Sequence, residues 1–282
     1  MCAEMLRRAL NDPAAQSGEA SMAGHLRRMD NGDHSHIGPP VFRLRNFTAR
    51  DVRKGGAVKF PADLVGKWIG MYDWVASGSI WYRHFLNFIG VPPAGIEWWI
   101  GDVDKGWTAQ HNAALPEGVH PVPPGRFLSE MLLAGDLEAI YSPPRPARYH
   151  LKDGPIVRLF PDCRAIEREY FKVTQIYPPQ HLVVLRREVW ERDKWLAKSL
   201  TQAFIRSNAM FAAAVRNFPY VSPWLDPELE ETAVLMGGDF HQDGYEHNRA
   251  TIAAFCQQAF DLGITKRLVT PEDYFAEFLE ET

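Results

Sequence analysis

Residues 68–86 read WIGMYDWVASGSIWYRHFL, and this stretch decides the fold class. Trp68-Ile69-Gly70-Met71 is a four-residue apolar run, too short for a buried helix and the right length for a buried strand. It passes through Tyr72-Asp73-Trp74 into a helical pattern reaching Leu86, with Ser77 or Ser79 placed to cap the first turn. A strand running directly into a helix is half of a βαβ unit. The other half lies downstream. Ile96-Glu97-Trp98-Trp99-Ile100 reads as a strand between Pro92-Pro93 and Gly101-Asp102. Phe127 to Ala134 reads as a short amphipathic helix stopped at Gly135, and Leu137–Tyr141 as the strand after it, ended by Ser142-Pro143-Pro144-Arg145-Pro146. Strands alternating with helices predict an α/β architecture with a parallel sheet.

Outward from that centre the pattern changes. Toward the N-terminus, Gly24 to Asn31 is the end of a helix broken by Asn31-Gly32-Asp33, followed by an apolar run over Ile37–Phe42 and then Arg43 and Arg45. Residues 47–59 are polar, and Phe60–Leu64 opens a helical turn. Toward the C-terminus, Leu182–Leu185 is a buried strand and Trp190–Asn217 a helix with one strongly apolar face. Helices are expected over Pro227–Met236, Glu246–Leu262 and Pro271–Glu280, the last with Thr270 as N-cap.

The length of 282 residues sets a prior of two domains at ~150 residues each. With 31 Lys+Arg against 35 Asp+Glu, the formal charge of −4 is wrong for a dedicated nucleic-acid binder, whose affinity comes from cations on phosphates. A 46% hydrophobic and 23% charged composition is that of a globular chain with a real core. No run approaches the ~20 apolar residues of a membrane-spanning helix. The N-terminus lacks the apolar segment of a secretory signal, so a cytoplasmic location is expected. Three cysteines without a CxxC pair offer neither a zinc ribbon nor a disulfide framework.

Few motifs carry chemistry on their own. There is no GxSxG elbow, and the Gly-Gly pairs at 55–56 and 237–238 belong to no phosphate-binding loop, so no nucleotide cofactor is expected. Asp33-His34-Ser35-His36 and Asp239–His247 are rich in ligand-type side chains, but a polar loop is the favoured reading of each. The groups just past the strand ends say more: Arg43 and Arg45, Ser77 with Ser79, and Ser142 with Arg145. Arginine forks and a serine-bearing helix start suit carboxylate ligands.

Five blocks, in order from about Glu19 to the end, resemble the 4,5-dihydroxyphthalate decarboxylase family, whose fold is that of the type II periplasmic binding proteins. They are GEASMAGHLRRMDNGD with PVFRLRNF; FPADLVGKWIGMYDW with SIWYR; PPGRFLSEML with GDLEAIYSPPRP; RLFPDCRAIEREYFKVTQIYPPQHLVVLRREV; and PWLDPELEETAVLMGGDFHQDGYEHNRATIAAF with ITKRLVTPEDYF. The resemblance implies a discontinuous first lobe over 1–50 and 180–282, a second lobe over 51–179, a ligand cleft between lobes and a helical C-terminal part. It also implies that the family's opening strand and helix have no counterpart ahead of the GEAS block.

The reaction implied is loss of one carboxylate from a dihydroxylated aromatic dicarboxylate, with a proton delivered to the ring carbon. His181 matches the YPxxH block and is the expected acid/base, and Glu19 the expected phenol-side base. Arg45, Ser77, Ser79 and Arg145 are the expected substrate-binding groups. No cofactor and no resident metal are expected, although a divalent ion is compatible with the chemistry. The partners expected are a small aromatic carboxylate and, at most, further copies of the chain; nucleic acid and membrane are not. Two positions depart from the family pattern: Phe47–Arg50 lacks a histidine, and His241-Gln242 replaces an aromatic and a proline. The alternative reading is a non-catalytic binding protein for a small carboxylate on the same fold.

Overall fold

A computed structural model describes residues 2–44, 50–53, 55–106, 115–143, 145–149, 153–215, 223–237 and 243–280. The chain forms two compact units, one combining Met1–Arg45 with Tyr177–Thr282, the other Asn46–Ile176. It opens with α1 (Cys2–Asn11) and β1 (Ser17–Ser21), the strand that contains the GEAS residues, then α2 (Met22–Asp30), β2 (His36–Ile37) and β3 (Phe42–Leu44). The second unit supplies β4 (Arg50–Arg53), β5 (Trp68–Met71), α3 (Ser77–Phe88), β6 (Glu97–Ile100), β7 (Val119–Pro121), α4 (Leu128–Ala134), β8 (Ala139–Tyr141), β9 (Ile156–Arg158) and α5 (Cys163–Thr174). The return segment carries β10 (Pro179–Arg186), α6 (Arg187–Arg192), α7 (Trp195–Val215), α8 (Leu225–Met236), α9 (Tyr245–Asp261), α10 (Pro271–Tyr274) and α11 (Ala276–Leu279).

The second unit is the α/β layer expected from residues 68–141. Its six strands run β7-β6-β5-β8-β4-β9, with β7, β6, β5 and β8 mutually parallel and β4 antiparallel to β8 and β9. Gly70, in register with Ile140, faces α4: a Cβ there would stand 2.7 Å from Leu128 and 2.9 Å from Leu137. That close approach lets α4 seat Leu128, Met131 and Leu132 on the sheet. Gly135 ends α4 in the left-handed conformation (φ 86°), as its place after the apolar run predicts. The opposite face is aromatic, with Tyr82 of α3 stacked on Tyr141 at 4.7 Å and edge-on to Trp98 at 6.3 Å.

The helix start at α3 differs from the expectation. Ala76 takes the N-cap position, and no side chain caps the helix. Ser77 and Ser79 are buried, and the Ser79 hydroxyl donates to the Asp73 carbonyl at 2.5 Å. The turn over 73–76 folds its carbonyls back against α3. Arg83, one helical level on, donates to Trp74 O of the same turn at 2.5 Å and to Ser79 O of α3 at 3.0 Å. In that setting a hydroxyl satisfies a buried carbonyl rather than a helix amide.

The first unit is built around one strand. Every ladder of its four-stranded sheet runs to β10, antiparallel to β1 on one side and to β2 and β3 on the other. Alternation along β10 sends Leu182 and Val184 into a buried layer under α2. The Tyr274 hydroxyl donates to Met22 O at 2.9 Å and ties α10 to that layer. On the other face, Ile37, Leu185, Trp190 and Ala197 form a second core. The single helix expected over 190–217 is two helices: Asp193 leaves helical geometry (φ −131°, ψ 66°), with Trp190 of α6 packed into this core and α7 beginning at Trp195. Asp243 likewise precedes α9, whose N-cap is Gly244, so it does not share a helical turn with His247. Thr270 caps α10 as expected, accepting from Asp273 N–H at 3.0 Å. No helix among the described residues is long and apolar enough to cross a membrane.

Candidate active site

The face of β10 that carries His181 and Val183 also carries the side chains paired across from them. Glu19 on β1 stands opposite Val183, and Arg43 on β3 stands opposite His181. Glu19 and His181 are therefore diagonal neighbours, close enough for long side chains to meet. Their contact is short, with His181 Nδ1 2.6 Å from Glu19 Oε1. A carboxylate on Nδ1 fixes the ring's orientation and leaves Nε2 as the position from which a proton can be exchanged. Arg43 Nε lies 3.8 Å from Glu19 Oε2 with the Arg43 side chain 64% exposed. An ion pair that open contributes about 0–1 kcal/mol, so the guanidinium can turn to a ligand at little cost.

Beside this group is a cavity of about 770 Å³, within the ~300–1,000 Å³ range of small-molecule sites. Its floor is Ser17–Glu19 of β1, Val41–Arg43 at β3 and Val183 of β10. Its roof is α7, through Leu200, Phe204, Ser207, Asn208 and Phe211. Those positions are spaced i, i+4, i+7, i+8, i+11, a single helical face. Buried Asp243 joins roof to floor: it accepts from Phe42 N–H at 2.8 Å and from Asn208 Nδ2 at 3.0 Å.

Of the expected site residues, Glu19 and His181 are brought into direct contact, 162 residues apart in sequence. Arg45 lies outside the described residues. Ser77 and Ser79 stand together in the second unit with the Ser79 hydroxyl engaged inside its own turn. Arg145 is exposed and lies over the Tyr149 ring at 5.2 Å. In the Asp33–His36 stretch, Asp33 pairs with Arg28 at 2.9 Å, and His36 Nδ1 is 2.9 Å from Ser35 Oγ. Asp239 and His241 lie outside the described residues. Among the described residues no group of three or more His, Cys, Asp or Glu side chains is placed to hold a metal ion. The α7 face was not expected as part of a site, and in sequence Asp243 reads only as a ligand-type side chain of the Asp239–His247 stretch. The apolar spacing of α7 was legible, but nothing local distinguishes a face over a cavity from one against a core.

The class of fold is the two-lobed one of periplasmic binding proteins. The chain matches the periplasmic aliphatic sulphonate binding protein SsuA from Escherichia coli with a TM-score of 0.54 at 13% identity, over 96% of this chain and 81% of that one. In sequence it is similar to a curated 4,5-dihydroxyphthalate decarboxylase of Comamonas testosteroni, 27% identical over 266 residues, covering 91% of this chain and 81% of the relative. It is also 26% identical over 160 residues to the Pseudomonas putida protein of the same name, 55% of this chain and 62% of that relative. No protein-family model matches the chain. The resemblance carried by the five sequence blocks is thus matched by named relatives.

Proposed function

We infer that the chain is a carboxy-lyase acting on a hydroxylated aromatic dicarboxylate of the 4,5-dihydroxyphthalate type. The observation that carries this reading is the Glu19–His181 contact, made through a Glu19 that lines a cavity together with Arg43. The names of the relatives support the same reaction class.

In this reading Arg43 holds one substrate carboxylate and sets the register of the ring. The His181 imidazolium delivers the Nε2 proton to the ring carbon that bears the other carboxylate. The carbon–carbon bond then breaks, its electron pair stays with the ring, and neutral carbon dioxide leaves. A hydroxyl para to that carbon supplies electron density as its proton is shared with solvent, and His181 regains a proton from water. The net change is one proton consumed, one carbon dioxide released. Glu19, expected as a phenol-side base, is better used here as the partner of Nδ1, because its Oε1 already meets that nitrogen at 2.6 Å. Every step is a proton transfer or a bond cleavage that these side chains can serve.

The test is to incubate the purified protein with 4,5-dihydroxyphthalate and follow carbon dioxide and protocatechuate. Turnover that disappears in His181→Ala is the expected result. Ligand-induced thermal stabilisation without any turnover would instead select the second reading, a binding protein for a small carboxylate on the same fold.

A further inference from the structure

Glu19 and Arg43 account for the charged edge of the cavity but not for its roof. Phe204 and Phe211 project from α7 at positions seven apart, 38% and 55% exposed, and both line the cavity. Large apolar rings left open on a helix are costly in water unless something covers them, at ~25 cal/mol per Å² of apolar surface. Between them stands Ser207, whose hydroxyl both donates and accepts. The roof is also held at a fixed height: Asp243 binds Asn208 above and the β3 backbone at Phe42 below. A slot with two phenyl groups on one wall, a hydroxyl between them and a guanidinium on the floor matches a flat ring with polar substituents on its rim. A flexible aliphatic diacid would offer the guanidinium its charge but nothing to the two rings.

We propose that the Phe204–Ser207–Phe211 face of α7 is the specificity-determining wall of the site, selecting planar hydroxylated aromatic carboxylates over aliphatic ones of equal charge. This deepens the carboxy-lyase reading and rests on the same cavity, yet binding can be measured apart from turnover. Isothermal titration with 4,5-dihydroxyphthalate and with cyclohexane-1,2-dicarboxylate compares a flat ring with a puckered one of the same charge.

In the unmodified protein the aromatic acid binds about tenfold or more tightly than the saturated one, the difference expected for one good aromatic contact. Phe204→Ala and Phe211→Ala each weaken the aromatic acid about tenfold and leave the saturated acid nearly unchanged. Both side chains are substantially exposed, so the variants are expected to melt at close to the parent temperature. Ser207→Trp, at an exposed position, fills the slot and abolishes binding without touching a buried core residue. Aromatic-selective binding that depends on these residues but yields no carbon dioxide upholds the wall and overturns the carboxy-lyase reading. Turnover with unchanged KM in all three variants overturns the wall and leaves the carboxy-lyase reading standing. Equal affinity for the two acids, or no binding of either, also overturns the wall.

Discussion

The two units carry their charges in opposite ways. In the first, Glu19, His181 and Arg43 stand on a sheet face beside a cavity, with side chains 34%, 13% and 64% exposed. In the second, Arg83 is fully buried, with its guanidinium 3.8 Å from the centre of the Trp74 ring and the Trp74 and Ser79 carbonyls as acceptors. Burial pulls the Arg83 pKa down to about 9 against the opposing pull of Asp73, so it remains a cation at neutral pH. Its Nη1 has no hydrogen-bond partner among the described residues. A sealed cation is committed to holding its turn, whereas charges at an open edge can be redirected to a ligand. What separates a structural charge from a usable one here is access.

The sharpest way to break this contrast is to remove the imidazole. His181→Ala should lower the rate of carbon dioxide release by ~10²–10⁴-fold, the usual contribution of a positioned acid, with an unchanged melting temperature. A large loss of stability instead would make His181 structural, like Arg83. The reciprocal test is Arg83→Ala, which takes the side-chain donor from the Trp74 carbonyl and leaves a cavity. Unfolding free energy measured in urea should fall by about 3 kcal/mol, while aromatic-acid affinity in the first unit stays the same.

A third test uses a histidine of the first unit that is sealed rather than open. Burial holds His25 down to about 4 from its ordinary 6.5. The folded chain therefore binds fewer protons than the unfolded chain between those values, and stability must fall as pH drops from about 6.5 to about 4, levelling below. The full loss from this group is on the order of 3 kcal/mol. Burial also lowers His36 and His84, which add to the same trend. Urea midpoints across that window should show the slope, and His25→Phe should flatten it; an unchanged slope would mean His25 is not its source. The smallest effect is expected at Thr270, a hydroxyl that does cap its helix where Ser77 and Ser79 do not. Thr270→Ala should cost about 1 kcal/mol by chemical denaturation.

Much of the second unit was legible because its elements are local. Trp68–Met71 is a strand by composition and length, and the helix ended by Gly135 follows from its apolar run. The missed elements are those whose stability comes from elsewhere. Strand β1 reads SGEAS, with no apolar alternation, and is a strand because β10 pairs with all five of its residues. Strand β4, RDVR, lies in a stretch that reads only as polar and is held between β8 and β9. Helix α5 did carry a local signal that went unread: Asp162 caps it, accepting from Ala165 N–H at 2.9 Å. The site divides the same way. Glu19 and His181 were picked out through the family resemblance, but only the register of two distant strands could place one against the other.

That register has a consequence for how the protein is made. Since, among the described residues, β1, β2 and β3 all pair with β10 and with no other strand of their sheet, their pairing waits until residues 179–186 have been synthesised. The second unit is contiguous and can complete itself during that interval, while the first segment waits with open edges. Assembly of the first sheet is then a late, long-range event that seats Glu19 on His181 in the same step that closes the sheet. A ribosome stalled before β10 should hold a finished second unit tethered to three orphan strands, so the timing of one strand sets when the candidate site comes into being.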